Sequence, residues 1–490
     1  MLTTDEIRQL INEDEASEKK KFAKMGQRYY DGDHDIKGYR LFYYDSDGNL
    51  VEDKYRSNIK IPHPFLTELN DQATQYILSG TDGFIKSDIP ELQTELDAYF
   101  NENEEYIAEL METLTGCQNK GFDYMYSYMN EDGRTAFQWA DSIGVVEVEA
   151  RFASDKKAHM LYWYVDRVDK DGKKIKKIID FDDENKYFYV QTDEGEIKKD
   201  DSEPINPKPH VLYQEDGDET TYYEGLGYVP FFRLDNNKRQ HSSLRPIKDL
   251  IDDYDLMASS LSNNLVDFDT PIHAVKGFEG DNLNELQKNL KTTKVVGVGE
   301  DGDFDVKVVD VPYQARQAKL ELDEKSIYKF GMGLNLSELK DTSATVSIAI
   351  KAAYSLLDLK CSKLIINTKK FLRKQIKVVL DEINDREGTD YQMKDVYFNF
   401  EPEVMSNALE NAQIELTEAQ RQNMVINTLL ALATKLDNET LMQLICEQLD
   451  MDYDDIKDKL PDPDEATNAV NAAQKALDGV VPGEGDVLNE

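Results

Sequence analysis

Basic charge, cysteine and catalytic signatures are all scarce in this chain. Against 97 aspartates and glutamates stand 57 lysines and arginines, a formal net charge of −40 over 490 residues. That argues against wrapping nucleic acid tightly with the general surface, though it does not exclude an electronegative channel through which DNA slides. The three cysteines, Cys117, Cys361 and Cys446, lie far apart and form no CxxC pair. A disulfide framework and a thiolate zinc site are thereby excluded, and three reduced thiols of a cytosolic-type protein are expected. No run approaches 18 apolar residues, so no membrane span is expected. Residues 1–24 are charged and amphipathic, unlike a signal peptide.

Sequence signatures of catalysis are absent as well. There is no GxxxxGK[ST], no GxSxG and no HExxH. Asp31, Asp33 and Asp35 fail as a calcium loop, because position six is Ile36 rather than glycine and position twelve is Phe42 rather than glutamate. Asp45–Asn49 carries its glycine too early, and Asp301, Asp303 and Asp305 read as a turn. The six histidines, His34, His63, His159, His210, His241 and His273, are scattered, which favours surface or core roles. Carboxylates are so numerous that no pair stands out as acid and base. No enzyme, cofactor or metal is expected.

What the chain does have is one very long helical stretch. From Ala344 to Asp385 there is neither glycine nor proline. Val346, Ile350, Ala353, Leu357, Cys361, Leu364, Leu372, Ile376, Val379 and Ile383 recur at helical spacing, with Lys360 and Thr368 as interruptions. At 1.5 Å per residue this predicts a helix of roughly 63 Å, long enough to span a molecule. Lys363, Lys370, Lys374 and Lys377 share one face. They read as a solvated helix face, or as a basic surface meeting acidic neighbours or a nucleic-acid backbone.

The remainder predicts an α+β chain, mainly helical, in several domains. Helices are expected over 3–30, from Pro62 or Pro64 to Gly80, and from Ile89 to Met129. Period-two strands then follow at 145–149, 160–165 and 187–190, with Asp171-Gly172 and Glu194-Gly195 as turns. A helix beginning near Leu244 carries Ile247, Ile251, Tyr254, Met257, Leu261, Leu265 and Phe268 as a stripe, with Asp249, Asp252, Asp253 and Asp255 crowding its first half. A small mixed unit at 271–312 separates it from a second helix of similar length at 313–330. Val396–Phe400 reads as one more strand, 405–460 as helical, and the proline-, glycine- and acid-rich tail 461–490 as disordered at its end.

In this order the pieces resemble the portal proteins of long-tailed double-stranded DNA bacteriophages of Gram-positive hosts. The resemblance covers about Lys20 to Leu460. It rests on Tyr29-Tyr30-Asp31-Gly32, on Asn58-Ile59-Lys60-Ile61 leading to a helix that ends Leu78-Ser79-Gly80, on Val229-Pro230-Phe231-Phe232, on Ser243 to Tyr254, and on Thr342-Ser343-Ala344. The last departs from the Ser-Gly pair often found before an alanine in the family. The resemblance implies a portal fold with a wing (1–243), a two-helix stem (244–270 and 313–332), a small α/β clip (271–312), a tunnel loop (333–346), a long spine helix with a return strand of the wing (347–404), and a helical crown (405–460). It implies a ring, usually of twelve subunits, at one capsid vertex in the virion, assembled in the host cytoplasm. Double-stranded DNA would pass through its channel without sequence readout. Other implied partners are the terminase large subunit, a head-completion or adaptor protein, and the major capsid and scaffolding proteins, with no membrane. Asn335, Ser337, Glu338, Lys340, Asp341 and Thr342 would face DNA; Lys288, Lys291 and Lys294 would bind partners at the clip. Acidic stem residues would repel DNA phosphates. Two other classes compete: a cytosolic scaffold with a long helix, and a carboxylate-metal enzyme acting on nucleic acid. A sustained heptad would mark the scaffold, but here the stripe drifts.

Overall fold

The computed structural model describes residues 2–45, 47–54, 56–80, 83–148, 159–168, 170, 172–192, 195–214, 221–268, 272–276, 303–307, 312–335 and 347–400, with a few positions between 421 and 443. The chain divides into two compact units, 1–404 and 405–490. Within the second, Leu441 is buried and Met424 exposed. Most of 405–460, all of the tail 461–490 and Cys446 lie outside the described residues.

Among the described residues, the α-helices of the first unit are α1 (Thr4–Ala16), α2 (Glu18–Tyr30), α3 (Phe65–Ile77), α4 (Pro90–Leu96), α5 (Glu104–Lys120), α6 (Lys248–Phe268), α7 (Tyr313–Gly331) and α8 (Ser347–Glu387). The single helix expected over 3–30 is in fact two. Ser17 takes an extended conformation, closing α1 and capping α2 by accepting from the Lys20 N–H. The serine hydroxyl competes for backbone donors and so favours the break.

The expectation of helix from Ile89 to Met129 is also corrected. Helix α5 stops at Gly121, whose φ of 95° is open to glycine at little cost. Phe122–Met129 is then a strand, pairing antiparallel with Thr135–Ala140 and Phe231–Asp235. Its alternating aromatics fit a pleated surface. A second antiparallel sheet runs in the order 197–199, 185–191, 174–181, 159–168, 145–148. Lys174–Phe181, which has no element assigned from the sequence, is one of its central strands. Ile7 and Ile11 of α1 pack on this sheet against Val146, Leu161 and Ile178.

The largest core forms around α8. Leu357, Cys361, Leu364, Phe371, Leu372, Ile376, Val379, Leu380 and Ile383 are buried among Ile77, Leu110, Leu114, Cys117 and Phe232. The two breaks in the stripe are accommodated. Buried Thr368 donates its hydroxyl to the Leu364 carbonyl at 2.9 Å. Lys360 donates to the Leu69 carbonyl at 3.1 Å, and desolvation pushes its amine down to about 8. Cys117 and Cys361 are buried free thiols; burial pushes Cys361 up to about 12. Tyr397–Phe398 pairs with Ile85–Lys86 beside this core. A second core seats the start of α6: Tyr29, Phe65, Leu66, Leu69, Leu244, Ile247, Ile251, Ile327 and Tyr328.

Candidate functional site

The most organised polar arrangement in the first unit lies along α6. On one of its faces, Asp255, Ser259, Asn263 and Asp267 recur every four residues and so stack along the axis. Beside them runs the segment 57–63, which belongs to no regular element. Its alternate backbone N–H groups each donate to one rung. His63 N reaches Asp255 Oδ1 at 2.9 Å, Ile61 N reaches Ser259 Oγ at 3.0 Å, Ile59 N reaches Asn263 Oδ1 at 2.6 Å, and Ser57 N reaches Asp267 Oδ1 at 3.1 Å. Asn263 Nδ2 returns a bond to the Ile59 carbonyl at 3.2 Å. The match is metric. Two residues of extended chain advance about 6.6 Å, and four residues of helix about 6.0 Å. The segment is therefore a strap fixed antiparallel to α6 by side chains that replace a missing sheet partner.

At the inner end of the strap, Asp255 is fully buried. Its Oδ2 lies 2.6 Å from His34 Nδ1, and its Oδ1 lies 2.9 Å from His63 Nδ1. His34 Nε2 faces the Tyr29 carbonyl at 3.0 Å while the ring stacks on that of Tyr29 at 4.5 Å. Both ring nitrogens of His34 thus face oxygens. Burial works to raise the Asp255 carboxyl, but the hydrogen bonds from His34 and His63 outweigh it and hold the group below its ordinary value.

The other acids of this helix are engaged too. Asp252 accepts from the Tyr29 hydroxyl and from Lys248 Nζ, which also reaches Asp35 at 2.8 Å. Burial and the contact with Asp252 raise the Tyr29 phenol. Lys248, despite its burial, is lifted by Asp252 and Asp35. Asp253 pairs with Lys319 of α7, which also holds Asp323. Of the four aspartates in the first half of α6, three are therefore committed to internal partners, and Asp249 is exposed. An aspartate already paired with a lysine or histidine repels phosphate more weakly than a free one. The sequence signal for the ladder is the DxxxSxxxNxxxD spacing from Asp255 to Asp267, which resembles an ordinary solvated face.

Along the apolar stripe of α6, burial falls away with distance. Ile247 and Ile251 are buried, Tyr254, Met257 and Leu261 are half-buried, and Leu265 and Val266 are exposed. Helix α7 likewise exposes Tyr313, Leu322 and Phe330. At its end, Gly331 and Gly333 have the position of hinges in the sequence. Instead both are buried, and a Cβ on either would come within 2.6 Å or less of a Leu69 methyl. Leu334 is bonded through both its N–H and its carbonyl to the Gln72 amide, at 3.0 and 3.1 Å. These glycines permit close approach.

Of the residues expected to face DNA, Asn335 is described. It is half-buried, with its amide 3.4 Å from Glu324 Oε1. Ser337, Glu338, Lys340, Asp341 and Thr342 lie outside the described residues, as do Lys288, Lys291 and Lys294. On α8, Lys363, Lys370, Lys374 and Lys377 are all exposed, so their shared face is open. Among the described residues no cluster of His, Cys, Asp and Glu could hold a metal, and no helix is long and apolar enough to cross a membrane.

Comparison with known sequences identifies the class of this α+β chain: it belongs to the phage portal proteins. Within them its family is the one described as phage portal protein, SPP1 Gp6-like, whose sequence model matches residues 9–454. The resemblance carried by Tyr29–Gly32 and Asn58–Ile61 is thus a family relationship, and the family is a structural one. The portal protein of Bacillus phage SPP1 is 28% identical over 343 residues, 69% of this chain. That of Clostridium phage phiCD119 is 30% identical over 191 residues, 38% of this chain. These alignments span 65% and 41% of the two relatives' own lengths. Among solved structures, the neck of a native GTA particle computed with C12 symmetry aligns with 77% of this chain and 87% of that one, at 13% identity and a TM-score of 0.36.

Proposed function

We propose that this chain forms the portal ring at one capsid vertex, the channel through which double-stranded DNA is packaged and later ejected. The observation that carries this reading is the family match, continuous over residues 9–454. The ring is a homo-oligomer, taken as a dodecamer. In this reading 1–243 is the wing, α6 and α7 are the stem, 271–312 is the clip, 333–346 the tunnel loop, 347–404 the spine with its return strand, and 405–460 the crown. Asn335, Ser337, Glu338, Lys340, Asp341 and Thr342 line the loop that meets DNA. Lys340 gives a weak, salt-sensitive phosphate contact, tempered by Glu338 and Asp341. Lys288, Lys291 and Lys294 serve the clip, where the terminase large subunit docks during packaging and a head-completion or adaptor protein afterwards. The rim meets the major capsid and scaffolding proteins, and assembly takes place in the host cytoplasm.

End-on electron micrographs and native mass of the purified chain test the ring. Closed particles with a central channel are expected; folded monomer alone at micromolar concentration would overturn it. Lys340→Glu and deletion of 337–340 test the loop. Rings should persist while packaging or retention of DNA falls, and full packaging in both variants would sink the assignment.

A further inference from the structure

Between the inner end of the strap, the start of α3, α6 and α7 lies an open cavity of about 460 Å³. That is the size of a small-ligand site. Part of its lining is aromatic. The Tyr254 ring meets His63 at 4.7 Å and 78° and Phe65 at 4.9 Å and 87°. His63 and Phe65 are 6.3 Å apart and within 28° of parallel. Two nearly parallel rings with a third set across both make a continuous aromatic corner.

Beside that corner stand carboxylates. Glu68 and Asp71 line the cavity from one face of α3, and Glu324 lines it from α7. Glu68 accepts from the Tyr328 hydroxyl at 2.7 Å and from the Gln72 amide at 3.2 Å, and Asp71 accepts from the Tyr30 hydroxyl at 2.8 Å. These donors are neutral, so they orient the two carboxylates without cancelling their charge. The acids of α6 differ, since Asp252 and Asp253 each meet a lysine. Burial and Glu68 raise the Tyr328 phenol, burial and Asp71 that of Tyr30, and burial and Glu324 that of Tyr254. The leading charged neighbour of each phenol is thus a carboxylate. Among the described residues no lysine or arginine lines the cavity. A cleft lined by charge of one sign concentrates the opposite charge.

We propose that this cavity binds an organic cation, a guanidinium or alkylammonium group, seated against the rings of Phe65 and Tyr254 with its charge beside Glu68 and Asp71. The two parts of the lining select that class together. An anion is repelled by the carboxylates, and an apolar ligand would strip them of water with nothing in return. A bare metal ion needs a tight ligand set, and among the described residues no cluster of His, Cys, Asp and Glu could supply one. A hydrated metal ion would leave the aromatic corner unused. A guanidinium plane or an alkyl-substituted nitrogen uses both parts, because aromatic faces attract cations and pack against their carbon. The site does not depend on the ring reading.

Calorimetry on the full chain tests it. The probes are methylguanidinium, spermidine and N-acetyl-arginine amide, with sodium chloride at matched ionic strength as the blank. Saturable binding at about millimolar concentration or below is expected. Glu68→Gln with Asp71→Asn should weaken it about tenfold or more, and Tyr254→Leu about threefold or more, while Tyr254→Phe stays within about twofold. Because a change at Tyr254 can disturb the strap, a second measurement uses the wild-type chain. Tetramethylammonium, which has no nucleophilic nitrogen, should slow carbodiimide labelling of Glu68 and Asp71 by about threefold or more, read by peptide mass, and leave exposed Glu91 unchanged. Tighter binding of spermidine than of the arginine amide marks a free polyamine as the occupant, and the reverse marks an arginine side chain of another protein chain; either result supports the site. No saturable binding of any probe, binding unchanged when Glu68 and Asp71 are neutralised, or equal protection of Glu91 overturns it. None of these readouts involves ring formation, so the ring reading stands or falls separately.

Discussion

Helices α6 and α8 are both long, yet they are held in different ways. Helix α8 buries nine apolar side chains in the main core. Helix α6 buries little apolar surface beyond Ile251 and is tied to the strap by hydrogen bonds that Asp255, Ser259, Asn263 and Asp267 accept from its backbone. Burial is non-directional and grows with area. A hydrogen bond adds about 1 kcal/mol net and fixes a direction. Helix α8 is thus a stability element and α6 a positional one.

The largest expected effect lies on α8. Phe371→Ala should cost about 3–5 kcal/mol and Ile376→Ala about 2–5 kcal/mol, read from the urea midpoint at unchanged slope. A loss below about 1 kcal/mol would erase the contrast between the helices. Next comes the one place where α6 is anchored deeply. Asp255→Asn leaves His34 and His63 without their carboxylate and should cost about 3 kcal/mol. Its pH dependence has a definite sign. The folded carboxyl sits below its ordinary value near 3.8, so its contribution is complete above that value and is lost as pH falls through the folded one. The gap in stability between wild type and Asp255→Asn should therefore shrink below about pH 4; a gap that widened there would contradict the pairing.

Smaller effects sharpen the comparison. Ser259→Ala and Asn263→Ala should each cost about 1 kcal/mol. Their distinctive readout is hydrogen exchange: the Ile61 and Ile59 amides should exchange faster while those of α8 do not change. Global destabilisation without local opening would mean that these side chains merely pack. Least of all, Leu265→Ser at the exposed end of the stem should stay within about 0.5 kcal/mol in the isolated chain.

The same contrast explains what was legible in the sequence. The stripe from Leu357 to Ile383 was readable because burial selects apolar residues at helical spacing. So were the two stem helices and the strand at Tyr397. The ladder was not. Serine, asparagine and aspartate every four residues look like any solvated face, and only the unpaired N–H groups of 57–63 give them a purpose. The extra strands had another cause. In Phe122–Met129 a tyrosine-rich alternation follows directly on a helix without a polar turn, and Gly121 alone marks the change. Lys174–Phe181 was hidden by Lys174, Lys176 and Lys177, which fall on both faces of the strand and break the apolar alternation. The meeting of buried His34 and half-buried His63 with Asp255 joins positions about 200 residues apart, beyond the reach of local pattern.

The strap also has a mechanical meaning. Its four bonds cross between two nearly parallel rods, so a pull along α6 strains all of them together, whereas a pull across it would open them one after another. Because donors and acceptors coincide only once every two strap residues and four helix residues, sliding by less than about 6 Å satisfies none of them. The joint is therefore stiff to axial load and soft to peeling. A helix held this way passes a push along its length to the strap without giving ground by small steps.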